Sequence, residues 1–342
     1  MEKQENMINP TKLHFIHCLE YNNTGDWYAS PLHYFTDYFM SRYIVMYHHI
    51  NYIQWSNIAP CDAIILGGGG MLDNSPSWQQ AINRMLDTCG CVIAWGVGFH
   101  NYKDQAPPSP KIDYTKFALI TVRDFEYPVK LEYLPCVTCL LPQLRKKREI
   151  KRAIGVINHP TYTITGTDFD TIDNSLGIDE ITGFIAQSEA ILTTSYHAAY
   201  WALLMGKKTI VGCIWANKFE YFERKPVILE ELSTDVLNNA VSTWDAKLYN
   251  GWLDECTSLN FKFFERVKNL LEEYFPVSNE NIAGTLMNLL KQQAWSSLPI
   301  YKQLGDIVEQ TNSVVAEISQ RFAQIEQKCD SLARDIMNIG DR

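Results

Sequence analysis

Short apolar runs alternate along the first 230 residues with polar, glycine-bearing loops and with stretches of helical period. The clearest unit spans residues 61–100. An apolar strand (62–66) leads into four glycines, Gly67 to Gly70. Ser75 and Pro76 then form a cap-and-proline helix start, Gly90 ends that helix, and a second apolar strand (92–95) follows. Proline is tolerated at a first helical position because the N–H it lacks would have no partner there, and glycine suits a helix end. The pattern predicts one parallel βαβ unit. The same reading places strands at 12–18, 43–49 and 117–122, and a helix from Ser30 and Pro31 to about Phe39.

The second half restarts the alternation. It predicts strands at 153–157, 190–194 and 209–212, a helix capped by Asp179 and running to Gln187, and a helix over 195–205. In the latter, Tyr196, Ala199, Tyr200, Leu203 and Leu204 recur at helical spacing, and Gly206 closes it. Further helices are expected over 234–249, 253–274 and 279–294. Consecutive βα units imply parallel sheets with right-handed crossovers. A charged run, Arg145-Lys-Lys-Arg-Glu-Ile-Lys-Arg152, marks the expected boundary between a first Rossmann-like domain (1–148) and a second (149–298). A solvated linker is the simpler reading of this run, with a basic patch for a membrane or a lipid-linked acceptor as the other.

Residues 299–342 differ in kind. Leu304, Val308, Thr311, Val315, Ile318, Phe322, Ile325, Cys329, Leu332, Ile336 and Ile339 keep spacings of four and three over about five heptads. That is the pattern of a coiled coil. It predicts a homo-oligomer through 304–339, or a stalk leading to a further catalytic module beyond the tail.

With 342 residues and a hydrophobic content of 46%, two domains are expected. The polar start and the lack of a long apolar run predict a cytoplasmic protein, at most peripheral to the inner face of the membrane. Nine cysteines, an odd number set in apolar segments, fit reduced, mostly buried thiols; the Cys136–Cys139 pair reads as structural, with redox or metal chemistry as the other reading. A net charge of −9 argues against nucleic acid as a partner. No metal-ligand cluster stands out, so no metal and no cofactor are expected.

Candidate chemistry gathers where strands end. Gly67, Gly68, Gly69 and Gly70 expose bare N–H groups beside a helix start, which suits an anionic ligand, with a tight turn as the plain alternative. They match neither a dinucleotide fingerprint nor a Walker loop. Asn23, Asp26 and Trp27 lie in the loop after the first strand, and His100 lies after a second glycine-bearing loop. Arg123 follows the 117–122 strand, where it could grip an oxyanion or pair with a neighbouring carboxylate. Ser195, Tyr196 and His197 begin the 195–205 helix, whose N-terminus lowers the pKa of a first-turn histidine and favours a base at neutral pH. Lys218 and Arg224 could reach an anionic donor.

Five segments in this order resemble the polysaccharide pyruvyl transferase superfamily: Asn23-Thr-Gly-Asp26, Ile65-Leu-Gly-Gly-Gly-Gly70, Trp95-Gly-Val-Gly98, Val122-Arg-Asp124, and Thr194-Ser-Tyr-His197-Ala with the helix that follows. The resemblance covers roughly 12–230 and implies a GT-B-like pair of Rossmann-type domains with the site between them. It also implies a transferase of bacterial cell-surface polysaccharide assembly, such as O-antigen or capsule. The donor would be phosphoenolpyruvate, and the acceptor a glycan or lipid-linked saccharide that becomes a cyclic ketal. His197 would then be the acid/base, with Asp26 catalytic beside it. Gly67–Gly70, Arg123, Ser195, Tyr196, Lys218 and Arg224 would be on the donor side, and Asn23, Trp27 and His100 on the acceptor side. The family motif before the histidine is Ser/Asp-Arg-Leu-His, whereas Thr194-Ser195-Tyr196-His197 has no arginine. This departure keeps open a glycosyltransferase using a UDP-galactofuranose or UDP-galactose donor on the same fold, and thirdly a non-catalytic coiled-coil scaffold.

Overall fold

The computed structural model describes residues 12–20, 22–73, 75–100, 111–212 and 215–275; the expected helix over 279–294 and the heptad segment lie outside them. The first half forms β1 (Lys12–His17), α1 (Thr24–Trp27), α2 (Leu32–Arg42), β2 (Ile44–His49), β3 (Ala63–Gly67), β4 (Leu72–Asp73), α3 (Pro76–Thr88), β5 (Cys91–Val97), β6 (Phe99–His100), β7 (Leu119–Val122) and β8 (Glu132–Tyr133). The second forms β9 (Arg152–Asn158), β10 (Asp170–Asp173), α4 (Ile178–Ala186), β11 (Ser188–Thr193), α5 (Tyr196–Leu204), β12 (Lys208–Gly212), β13 (Val227–Leu229), α6 (Thr234–Ser242) and α7 (Trp252–Tyr274).

Two main sheets result, both parallel and Rossmann-like, ordered β2-β1-β3-β5-β7-β8 and β10-β9-β11-β12-β13; β4 and β6 pair separately. In each, the second strand of the half crosses to the far side of the first. Each sheet therefore has a switch point, between β1 and β3 and between β9 and β11. Loops leaving the C-terminal ends of strands at a switch point diverge, and the gap between them is where α/β sheets take ligands.

The central strands are buried on both faces, and their side chains sort with a period of two. Leu13, Phe15, Ile65, Ile93 and Trp95 face α2 and α7. Ile16, Ile64, Leu66, Val92 and Ala94 face the α3 side with Ile82 and Met85. In the second sheet Ile157, Ile191 and Val211 meet α4 and α5. Val156, Leu192 and Ile210 meet Leu237 and Ala240 of α6.

α7 reaches back over the first sheet, with Phe263, Val267 and Leu271 in that core while its first turn, Trp252 and Cys256, joins the core of the second. Asn260 fixes the crossing: it accepts from Trp95 Nε1 at 3.0 Å and donates to Pro135 O at 3.0 Å.

Local signals hold with adjustments: α2 starts at Leu32 with Pro31 rather than Ser30 in the cap position, and the helix expected over 234–249 ends at Ser242, a separate 3-10 turn following at Ala246–Tyr249. Pro76 is at the start of α3, but Ser75 makes no side-chain cap. The cap of α4 is Gly177, not Asp179, because the Glu180 carboxylate turns back to accept from Gly177 N at 3.1 Å. α5 has no apolar stripe: all nine residues are buried, as expected of a helix packed on every side. Among the described residues no helix is long and apolar enough to cross a membrane.

Candidate active site

Both switch points open on one cavity of about 280 Å³. The first sheet contributes Cys18, Glu20, Asn23 and Asp26 after β1, Gly70 after β3, His100 at the end of β6 and Arg123 after β7. The second contributes His159, Thr161 and Tyr162 after β9, Ser195, Tyr196 and His197 after β11, and Trp215 and Lys218 after β12.

In this cavity His197 lies between the Asp26 carboxyl and the Arg123 guanidinium. Its Nδ1 is 3.6 Å from Asp26 Oδ1, and its Nε2 is 3.4 Å from Arg123 Nη1 and 3.7 Å from Cys136 Sγ. A guanidinium can only donate, so Nε2 is the acceptor and the ring proton sits on Nδ1, toward Asp26. Burial, Arg123 and Lys218 hold the His197 pKa well below the usual histidine range, so the ring is neutral. The Asp26 carboxyl is pushed up by burial, against the pull of Lys218 and Arg123, and its Oδ2 accepts from Asn23 Nδ2 at 2.6 Å.

This pair spans the two sheets, so its geometry depends on how they are tied. Asn174 makes the tie. Its Nδ2 donates to Asn23 Oδ1 at 3.1 Å and to Ser195 Oγ at 2.9 Å, while its carbonyl accepts from Thr24 N at 3.0 Å. Thr24 Oγ1 also donates to Leu176 O at 2.6 Å. Ser195 Oγ caps α5 by accepting from Ala198 N. Gly25 completes the join: a Cβ there would lie 2.2 Å from His197 Nδ1.

Two buried cations face the same space. Arg123 is 3% exposed and Lys218 7% exposed, and neither has a carboxylate within ion-pairing distance among the described residues. The Arg123 guanidinium lies 3.9 Å from the Tyr196 ring centroid, and its Nε has no hydrogen-bond partner. Gly98 makes room for it, since a Cβ there would meet Nε at 2.4 Å. Lys218 Nζ sits 4.0 Å from the Trp215 ring centroid, and burial lowers its pKa to about 7. Asp124, beside Arg123 in sequence, accepts from Phe99 N at 2.8 Å instead of pairing with the guanidinium, and burial raises its carboxyl to about 6. Asp26 and Asp124 act on both cations through space, and Glu20 on Lys218, but none makes an ion-pair contact with them among the described residues, so the two cations offer an anion direct contacts.

The wall next to Lys218 is aromatic. Tyr162 stacks on Trp215 at 4.2 Å, with His159 at 4.9 Å and His100 at 5.2 Å from the same indole, and Trp215 Nε1 donates to Thr194 O at 2.9 Å. His100 is lowered to about 2 and His159 to about 4, both chiefly by burial, so both rings are neutral.

The polysaccharide pyruvyl transferase model matches residues 12–213. The chain belongs to this family. The matched span includes the loops of both switch points, with Asp26, Arg123 and His197, and stops before Trp215 and Lys218. A comparison with curated proteins gives no match. Among solved structures, the functional uncharacterized protein KP1_0663 from Klebsiella pneumoniae subsp. pneumoniae NTUH-K2044 is similar at 16% identity, over 65% of this chain and 94% of that chain, with a TM-score of 0.44. That likeness is too low to carry an argument.

The polysaccharide pyruvyl transferase fold gathers Asn23, Asp26, Gly70, His100, Arg123, Ser195, Tyr196, His197 and Lys218 around one cavity, as the sequence reading grouped them. Others lie elsewhere. Gly67 and Gly68 are shaped by the chain itself: a Cβ at Gly67 would meet Pro31 Cδ at 2.8 Å, and one at Gly68 would meet Ala29 O at 2.1 Å. Gly69 (φ +74°) abuts Asp26, with its would-be Cβ 3.3 Å from Oδ1. The glycines thus let the β1 and β3 loops approach each other. Arg224 is outside the cavity, paired with Glu255 and donating to Leu248 O at 2.8 Å. Trp27 lies near His33, with ring centroids 6.1 Å apart, and does not line the cavity. Asn174, His159, Tyr162 and Trp215 were not foreseen. For His159, Tyr162 and Trp215 the signal was topological, since the loops after β9 and β12 of the second sheet face the same crevice.

Proposed function

We propose that the cavity transfers the enolpyruvyl carbons of phosphoenolpyruvate to two hydroxyls of a sugar in a cell-surface polysaccharide or its lipid-linked precursor, giving a ketal. The two sheets then act as a GT-B-like pair with the chemistry between them. The observation that carries this reading is the pair of buried cations that make no carboxylate ion pair among the described residues, Arg123 and Lys218, beside the Asp26–His197 pair. Phosphoenolpyruvate brings a phosphate and a carboxylate, and Arg123 Nε has a donor to give. Arg123 and Lys218 supply the positive charge that Ser195, at the family's arginine position, does not.

The reaction needs one proton delivered to the methylene carbon and one carried away with phosphate, and the two sugar hydroxyls release both. The first hydroxyl oxygen bonds to the central carbon as that carbon's neighbour becomes a methyl group. The C–O bond to phosphate then breaks and the second hydroxyl closes the ketal. Once the donor's anion draws the Arg123 guanidinium off Nε2, neutral His197 can take the first hydroxyl's proton there and pass it to the methylene carbon, with Asp26 stabilising the imidazolium in between. Lys218, whose pKa is lowered to about 7, is protonated in part at neutral pH and can hand that proton to the departing phosphate, regaining it from the second hydroxyl. Tyr162, stacked on Trp215 at the cavity wall, can offer the sugar a flat apolar face.

The test is turnover. Inorganic phosphate should be released from phosphoenolpyruvate only when a sugar acceptor is present, and a ketal methyl signal should grow in proportion. Release of UDP from a UDP-sugar, with phosphoenolpyruvate inert, would replace this reading with glycosyl transfer.

A further inference from the structure

A second cavity, of about 490 Å³, shares no lining residue with the first. Its apolar floor includes Leu144, Leu204, Met205 and Leu253, and its rim is cationic. The rim comes from the charged run between the two sheets. Residues 145–152 hold six cations and one carboxylate, Glu149, in a chain whose net charge is −9.

After a 3-10 turn at Pro142–Arg145, the segment 146–151 has no regular structure and residues 145–151 are exposed. It is nevertheless fixed. Leu144 is buried, and the N–H groups of Lys151 and Arg152 both donate to Gln187 O, at 2.7 and 3.2 Å. Some of its charges are spent locally: Arg145 pairs with Asp254 at 2.7 Å, Lys146 with Asp179 at 3.4 Å and Arg152 with Asp170 at 3.0 Å. Lys147, Arg148 and Lys151 have no ion pair among the described residues. Beside them Ile150, the one apolar residue of the run, is 50% exposed.

We propose that this ridge and the cavity beneath it dock the protein on an anionic lipid bilayer. A cluster of lysines and arginines on an otherwise acidic protein is drawn to negatively charged headgroups. Cations alone would serve free phosphate equally well. The exposed isoleucine and the apolar floor fit the glycerol and upper acyl region beneath a headgroup, which free phosphate lacks. With the two cavities separate, docking leaves the catalytic cavity open. The proposal stands apart from the transferase reading, because vesicle binding is measured without turnover.

The experiment is co-sedimentation of the full chain with vesicles of phosphatidylglycerol in phosphatidylcholine, against phosphatidylcholine alone. Binding is expected to the anionic vesicles only. It should be lost on raising the salt from about 0.1 M to about 1 M, where the Debye length falls from about 10 to about 3 Å. Each surface cation contributes about fivefold in partitioning, so the double variant Lys147→Gln, Arg148→Gln should bind about 25-fold more weakly. Both side chains are exposed, so unfolding temperature and phosphate release should match wild type. Equal sedimentation with neutral vesicles, no sedimentation with either, or wild-type binding by the double variant would overturn the proposal. So would loss of vesicle binding to inorganic phosphate at unchanged ionic strength, which would make the ridge a simple anion site.

Discussion

Replacing Gly25 with alanine adds one methyl group at the join between the sheets. Its carbon would lie 2.2 Å from Nδ1, 2.3 Å from Cγ and 2.4 Å from Cβ of His197. Non-bonded carbons rest about 3.5 Å apart or more, so something must move by roughly 1.2 Å. His197 has little room to yield, with Arg123 and Cys136 against its far nitrogen. If α1 yields instead, it must stretch the Thr24 bonds to Asn174 O and Leu176 O. Either movement opens the 3.6 Å gap between Asp26 and His197. Overpacking of this kind costs about 1–3 kcal/mol of stability, and a catalytic group misplaced by about 1 Å costs about 100-fold in rate. Gly25→Ala should therefore fold, melt somewhat lower and release phosphate from phosphoenolpyruvate about 100-fold more slowly. Gly251→Ala is the control: Gly251 has φ +76°, so alanine is strained there, but it lies outside the cavity. Its stability should fall by about 1–2 kcal/mol with turnover unchanged. Turnover of Gly25→Ala within about threefold of wild type would refute the role given to the Asp26–His197 geometry.

Two further outcomes follow from buried charge. Arg123→Met removes a buried cation that makes no carboxylate ion pair among the described residues, so the ligand-free protein should be as stable as wild type or more so by urea unfolding. Affinity for phosphoenolpyruvate, measured by titration calorimetry, should fall about 10- to 100-fold, the worth of a hydrogen bond to a charged group. The second concerns the β1–β2 edge, where His14 Nδ1 bonds His48 Nε2 at 2.9 Å and His14 Nε2 bonds Asp62 Oδ2 at 3.1 Å. Burial lowers His48 to about 4, lowers His33 to about 4 and lowers His14 and His17 as well. The unfolded chain then takes up protons near pH 6.5 while the folded chain resists. Stability is full above that pH and is lost as pH falls toward 4, on the order of 3 kcal/mol for His48 alone. Urea midpoints should drop between pH 7 and pH 5, and His48→Gln should flatten the slope.

The strands around Ile64, Val92 and Ile191 were legible because their side chains are needed on both faces and nothing polar interrupts them. Arg123, Asp26 and His197 were legible as strand-end residues, and parallel topology brings strand ends together. β10 was not, since three of its four residues are exposed and polar and it carries little apolar signal. The glycines could be seen to permit a close approach, but whether to a ligand or to Pro31 and Ala29 depends on packing distant in sequence. Asn174 was invisible for the same reason: its bond to Asn23 joins residues 151 apart. Arg224 looked free only because its partner, Glu255, lies on α7.

The central claim is that Arg123 and Lys218 await the anionic groups of phosphoenolpyruvate. Its most direct test is thermal unfolding of the unmodified protein with phosphoenolpyruvate, with UDP and with buffer alone. A ligand at about a hundred times its dissociation constant adds about 2.7 kcal/mol to stability. A rise in melting temperature with phosphoenolpyruvate that is absent in Arg123→Met, and no rise with UDP, is the predicted result. A rise with UDP alone would contradict the claim.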